Sequence, residues 1–179
     1  MAKQDITPVE GKEEKLCVTR RDVLLAGGTA GAAMLLTVPG LQWPAWARTA
    51  GYPRKKIAKV SELMTDDPID FEYPDEKSPA MIVKLGVPAG GGIGSGNDIV
   101  AFSTLCTHMG GTMEGTYKEK FKGLGPCPLH LTSFDLTRHG IISAGHATES
   151  LPQILLEVEG GDIYATGVMG LIYGRASNV

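Results

Sequence analysis

Four side chains in two short stretches could do chemistry: Cys106-Thr107-His108 and Cys127-Pro128-Leu129-His130, together C-x-H-x18-C-x2-H. Thiolate and imidazole are metal ligands. Each Cys/His pair is close enough in sequence for one turn to aim both side chains at a common point. Gly110, Gly111 and Pro128 alongside suit a backbone wrapped closely around an inorganic object. Three readings compete. A structural zinc accepts two Cys and two His but usually groups like ligands together, as Cys-x-x-Cys followed by His-x-x-x-His. A two-iron cluster, both Cys on one iron and both His on the other, takes one of each from each loop, and the spacing favours it. A coincidental or catalytic Cys/His pair is the third. His139 and His146 stand alone in polar surroundings and read as surface or loop residues.

The elements that must position these loops read as short strands. Residues 57–60, 80–85 and 98–103 are short apolar runs bounded by Gly, Pro and Asp, the pattern of buried or period-two strands. Residues 153–159 and 163–168, separated by Gly160-Gly161-Asp162, read as a hairpin. Residues 61–64 suggest one helical turn, ended by Asp66, Asp67 and Pro68. Residues 88–97 are a glycine-rich loop by composition; without a following Lys-Ser/Thr or a helix pattern they do not make a phosphate-binding loop. Glycine at 24 of 179 residues, 11 prolines and 6% aromatics argue for many turns and against a long-helix bundle. No 20–50-residue repeat or heptad is visible. The expectation is one all-β domain with two long, irregular inserts that hold the Cys/His stretches. A net charge of −3 leaves no basic excess for nucleic acid or an anionic membrane.

The first quarter of the chain reads differently. Residues 23–47 carry no charge; Thr19-Arg20-Arg21-Asp22 precede them, and Pro39-Gly40 and Ala45-Trp46-Ala47 close them. A membrane span needs about 20 apolar residues, more than lie between Asp22 and Gly40, and a core helix would show a polar face. Paired arginines, a weakly apolar segment and an Ala-x-Ala site instead resemble a twin-arginine export signal. Residues 1–47 are accordingly expected to be a leader, cleaved or disordered, and residues 48–179 the domain. Cys17 leaves with the leader, and two cysteines are too few for a structural disulfide framework in an oxidising periplasm.

Cys106-Thr107-His108 and Cys127-Pro128-x-His130 resemble the two cluster-binding boxes of Rieske iron–sulfur proteins, and residues 147–152 fall where that family places a proline-containing third loop. The resemblance spans nearly the whole of residues 48–179. It implies a Rieske-type antiparallel β sandwich with cluster loops around 105–111 and 126–134. It implies one 2Fe-2S cluster on Cys106, His108, Cys127 and His130, with Thr132, Phe134 and Pro152 as surrounding candidates. Within the family, residues 65–71, Tyr73-Pro74-Asp75-Glu76, residues 98–105 and Gly170-Leu171-Ile172-Tyr173-Gly174-Arg175 resemble the small subunits of arsenite oxidases. That likeness implies an electron relay without a substrate site of its own. Its partner would be a large molybdopterin subunit with a further iron–sulfur cluster, and its acceptor a periplasmic cytochrome c or an azurin-like blue copper protein. The rivals are the Rieske subunit of a quinol-oxidising cytochrome bc complex, whose N-terminal segment stays as a membrane anchor, and a cytoplasmic low-potential Rieske ferredoxin. The chain departs from high-potential members of the family: Gly111 and Leu129 stand where those carry a disulfide pair. Thr132 and Phe134 stand where the family has Ser and Tyr hydroxyls. Losing a donor to cluster sulfur lowers the potential, so the midpoint is expected in the middle or lower part of the Rieske range of about −150 to +300 mV.

Overall fold

The structure, a computed structural model, describes residues 51–179. The segment expected to be a leader, residues 1–47 with Cys17, Arg20 and Arg21, lies outside the described residues. The rest is all-β: β1 (Lys55–Lys59), β2 (Ile69–Glu72), β3 (Pro79–Lys84), β4 (Ile99–Ser103), β5 (Tyr117–Lys118), β6 (Gly123–Leu124), β7 (Ser133–Asp135), β8 (Ile141–Ala144), β9 (Gln153–Glu159) and β10 (Asp162–Met169). They form a six-stranded sheet, ordered β1-β10-β9-β4-β3-β2, and a four-stranded sheet, ordered β5-β6-β7-β8. Every named strand pair is antiparallel.

The strongest sequence signals lie at the centre of the large sheet. β3 and β4 read as continuous apolar runs because both of their faces are covered. Alternate side chains point to opposite faces of a strand. Ala80, Ile82, Ile99 and Ala101 join Ala58, Ile154, Ile163 and Ala165 in a core enclosed by the large sheet. Met81, Val83, Val100 and Phe102 face the other way and pack on Leu124, Phe134 and Leu136 of the small-sheet region, in one cluster with Cys106 and Cys127. The expected hairpin is β9–β10: Glu159 pairs with Asp162, and Gly160 and Gly161 have φ of +59° and +86°. Two successive left-handed residues are what a two-residue hairpin turn of matching twist requires.

β2 and β5–β8 were not legible as strands. β5 and β6 have two residues each, and β8 is largely exposed, so neither a period nor an apolar run could announce them. The helical turn expected at 61–64 is a 3-10 turn at Val60–Glu62, closed by the Lys59 N–H donating to the Glu62 carboxylate at 3.0 Å. Asp66 ties the small sheet to the large one. Its backbone N–H donates to the Lys84 carbonyl, and its carboxylate accepts from Lys122 Nζ at 2.6 and 2.7 Å and from the Tyr117 hydroxyl at 2.6 Å.

Candidate metal centre

The Cys/His stretches occupy two loops closed by the same pair of backbone hydrogen bonds. In the β4–β5 loop the Cys106 N–H donates to the Gly111 carbonyl at 2.9 Å, and the Gly110 N–H returns to Cys106 O at 2.8 Å. In the β6–β7 loop the Cys127 N–H donates to Thr132 O at 2.7 Å, and the Leu131 N–H returns to Cys127 O at 2.9 Å. Closing so tight a turn takes a left-handed residue four positions after each cysteine: Gly110 at φ +69° and Leu131 at +63°. Glycine adopts that region freely, whereas a branched, exposed leucine carries strain there. The two loops are thus near copies in backbone terms, although their histidines stand two and three residues after the cysteine.

Both cysteines are buried and unbridged by a disulfide. Burial pushes the Cys106 thiol up; N–H groups of His108 and Met109 oppose this, and the facing Cys127 adds to it. The imidazoles of His108 and His130 meet edge to face, 4.7 Å between ring centroids. His130 is exposed and His108 half-buried, and the buried Nδ1 of His108 has no hydrogen-bond partner. Such an orphaned nitrogen is costly unless something outside the protein's own hydrogen-bonding groups engages it. Among the described residues, no three His, Cys, Asp or Glu side chains gather as a single ion would require. The donors meet as two pairs, Cys106 with Cys127 and His108 with His130, which fits a two-iron cluster taking thiolates on one iron and imidazoles on the other and does not fit one tetrahedral zinc.

The backbone leaves room for such a group because side chains are withheld. A Cβ on Gly111 would stand 2.7 Å from Cys127 Sγ and 3.0 Å from the Leu129 side chain. Gly111 and Leu129, the positions without the family's disulfide pair, therefore abut directly across the loops. The third loop, between β8 and β9, reaches the boxes at two points. Thr107 Oγ1 donates to the Glu149 carbonyl at 2.8 Å, and the His146 N–H donates to Thr132 Oγ1 at 3.2 Å.

Thr132 is fully buried and keeps its hydroxyl proton free to donate. Phe134 is fully buried in the cluster that holds both cysteines. Pro152 lies at the foot of the third loop, its carbonyl accepting from the Ser103 N–H at 2.9 Å. His139 caps a 3-10 turn and bonds Gln153 through Nδ1 at 2.8 Å, away from the boxes. His146 is exposed, as expected, yet its ring lies 5.9 Å from that of His108. No pattern around His146 announced this. The one sequence mark is Gly145, where a Cβ would press within 2.4 Å of the Thr132 backbone.

No charged residue occurs in 104–113 or 125–134. Met109, Leu129 and Leu131 are each more than half exposed beside His130. The loops thus end in an uncharged, largely apolar tip.

This fold and donor set are those of an iron–sulfur electron carrier. Residues 54–155 match the Rieske [2Fe-2S] domain family, and the chain belongs to it, with one Rieske-type 2Fe-2S cluster as its cofactor. The fold is similar to the soluble domain of the Rieske protein II (soxF) from Sulfolobus acidocaldarius, with a TM-score of 0.63 at 24% identity over 71% of this chain and 83% of that one. In sequence the chain is 56% identical to the iodate reductase subunit IdrB of Pseudomonas sp. (strain SCT), over 90% of this chain and 84% of that protein. It is 57% identical to the IdrB of Denitromonas iodatirespirans, over 92% and 89%.

Proposed function

We propose that Cys106 and Cys127 hold one iron of the cluster and His108 and His130 the other, and that the chain is the electron-transfer subunit of a two-subunit oxidoreductase of the iodate reductase kind. The convergence of the two boxes into a buried sulfur pair and a partly exposed nitrogen pair supports the ligand assignment. Identity of 56% and 57% over nearly the full lengths of two iodate reductase subunits supports the kind of complex. The arsenite oxidase resemblance concerns the same role with the current reversed: electrons enter from arsenite and leave to a cytochrome c or an azurin-like protein, whereas iodate reduction draws electrons inward. The relatives at 56% and 57% identity are iodate reductase subunits, and iodate is the substrate proposed. The partner is a large subunit of the molybdopterin kind that the resemblance implies, and the soluble cytochrome or copper protein becomes the donor.

When bound, the cluster supplies one-electron transfer. The chain's own residues place that transfer at a surface. Of the two imidazoles His130 is the more exposed and offers the way out of the loops, and the uncharged rim of Met109, Leu129 and Leu131 can shed water against a partner without stripping a charge of its hydration. Substrate binding and turnover belong to the large subunit. The paired arginines and the Ala-x-Ala site support export of the folded chain to the periplasm.

Purifying the native complex and assaying both directions tests the proposal. Iodate-dependent oxidation of a reduced cytochrome c, lost when this chain is stripped from the complex, is expected. Arsenite-dependent reduction of the same cytochrome, with no iodate activity, would transfer the assignment to arsenite oxidation. A chain that purifies without a large subunit would leave only the ferredoxin reading.

A further inference from the structure

Two motifs that the electron-carrier role does not use, Tyr73-Pro74-Asp75-Glu76 and Gly170-Leu171-Ile172-Tyr173-Gly174-Arg175, meet in the folded chain. Asp75, in the β2–β3 connection, is fixed by its own turn: its Oδ1 accepts from the Lys77 N–H at 2.9 Å and from Ser78 Oγ at 3.1 Å. Arg175 Nη2 then bridges both Asp75 oxygens at 2.7 Å. Asn178 folds the segment back on itself. Its Oδ1 accepts from the Ile172 N–H at 2.9 Å, and its Nδ2 donates to Gly170 O at 2.8 Å and to the Tyr52 hydroxyl at 3.0 Å. Ile172 is buried. Tyr173 is thereby held over the first cluster loop. A Cβ on Gly110 would lie 2.5 and 2.6 Å from ring carbons Cδ1 and Cε1 of Tyr173, so the ring occupies the space that the missing side chain leaves.

We propose that residues 170–178 are a strap that clamps the Cys106 loop against the large sheet, doing mechanically what a disulfide between the loops does in high-potential Rieske proteins. Tyr173 is the positioning residue, and Arg175 on Asp75 is its anchor. The loop needs such a restraint. Its two backbone bonds, Cys106 N–H to Gly111 O and Gly110 N–H to Cys106 O, are local, Gly111 and Leu129 touch without a bond, and the Thr107–Glu149 bond ties it only to another loop. Tyr173 presses at Gly110, the left-handed residue on which loop closure turns. Its hydroxyl has no hydrogen-bond partner within the described residues, so the ring alone does the clamping.

The clamp proposal rests on the ligand assignment only for its effect on the cluster; the loop's rigidity is measurable without it. Hydrogen–deuterium exchange on the full chain, purified with its partner, reads the amides of residues 106–112. Tyr173→Ala and Arg175→Ala are expected to speed exchange there about tenfold, the effect of about 1.4 kcal/mol on a local opening, while β3 and β4 stay at wild-type protection. Tyr173→Phe keeps the ring and is expected to behave as wild type. In the same variants the cluster should bleach faster under a chelator, again spared by Tyr173→Phe. Unchanged protection of 106–112 in Tyr173→Ala overturns the strap, as does a Tyr173→Phe variant that loosens equally. Exchange that rises as much in β3 and β4 as in the loop also overturns it, because the segment would then serve the whole fold. A wild-type chain without a 2Fe-2S spectrum, by contrast, removes the ligand assignment and leaves the exchange result standing.

Discussion

β3 and β4 bury side chains on both faces over five or six residues each, and two apolar clusters meet at them. β5 and β6, which carry the first cluster loop into the second, have two residues apiece. The large sheet is therefore held by burial, which is strong, additive over area and indifferent to detail. The small-sheet region shares one of those clusters through Leu124, Phe134 and Leu136, but the loops beyond it depend on a few specific contacts: two closed turns, the Asp66–Lys122 pair, the Thr107–Glu149 bond and the Tyr173 strap. The first kind of stability survives the loss of any one contact. The second concentrates its dependence on individual residues and on the metal, and so allows the cluster's surroundings to be altered without risk to the base.

The largest effect should come from removing a proposed ligand. Cys127→Ser is expected to abolish the visible absorbance and the reduced-cluster EPR signal, and hydrogen exchange should rise across residues 104–134 while β9 and β10 remain protected. Structural metal sites contribute folding energy where they sit. Global unfolding of this variant would show the two regions to be one cooperative unit and would end the contrast.

Next in size is the base itself. Ile82 is fully buried in the large-sheet core, in a cluster that contains no residue of the small sheet. Ile82→Ala should cost about 2–5 kcal/mol in chemical denaturation, the usual range for a buried aliphatic truncated to alanine. The cluster midpoint should stay at the wild-type value. A shifted midpoint would mean that packing on the far face of β3 is transmitted to the loops.

The tie between the regions comes third. Lys122 beside Asp66, helped by the Tyr117 hydroxyl, holds the Asp66 carboxyl below the usual carboxylate range. Its side chain is 20% exposed and that of Lys122 23%, so the pair lies between the surface and buried limits. Lys122→Met should cost about 1–2 kcal/mol at neutral pH. Because the folded carboxyl is the more acidic one, the stabilisation is present above the unfolded value near pH 4 and is lost as pH falls through the lower folded value. Wild type and Lys122→Met should therefore converge in acid denaturation. A gap that persists at pH 2 would mean that Lys122 acts through its packed stem and not its charge.

The two regions also differed in what their residues disclosed before folding. Apolar runs announced β3 and β4, and Gly160-Gly161 announced β9–β10, because both signals are local. β5 and β6 carry no local signal; their pairing is imposed by the loops on either side. The Cys/His boxes were legible because a thiolate and an imidazole two or three residues apart have few other uses. Tyr173 was visible as part of a motif, but nothing near it in sequence said that it covers Gly110. Likewise His146 reads as a surface residue, and only folding brings it beside His108. The substrate was not legible in this chain because none of its residues is expected to touch one.

The smallest effect tests the chemistry of the small region and leaves its stability alone. Phe134 is fully buried with both cysteines, where the family resemblance calls for a tyrosine hydroxyl. A donor to cluster sulfur stabilises the reduced, more negative state. If Phe134→Tyr supplies about 1 kcal/mol of preferential stabilisation, the ordinary net worth of one hydrogen bond, a one-electron couple shifts upward by about 40 mV. Redox titration followed by EPR reads this directly, and the wild-type midpoint should fall below the upper end of the Rieske range of about −150 to +300 mV. Thr132→Val removes the other hydroxyl and should move the midpoint the opposite way. Since Thr132 Oγ1 also accepts the His146 N–H, that variant should loosen the third loop as well, whereas Phe134→Tyr should not. A midpoint indifferent to both would mean that neither hydroxyl position reaches the cluster, and that burial and the backbone N–H groups of His108 and Met109 around Cys106 set its potential.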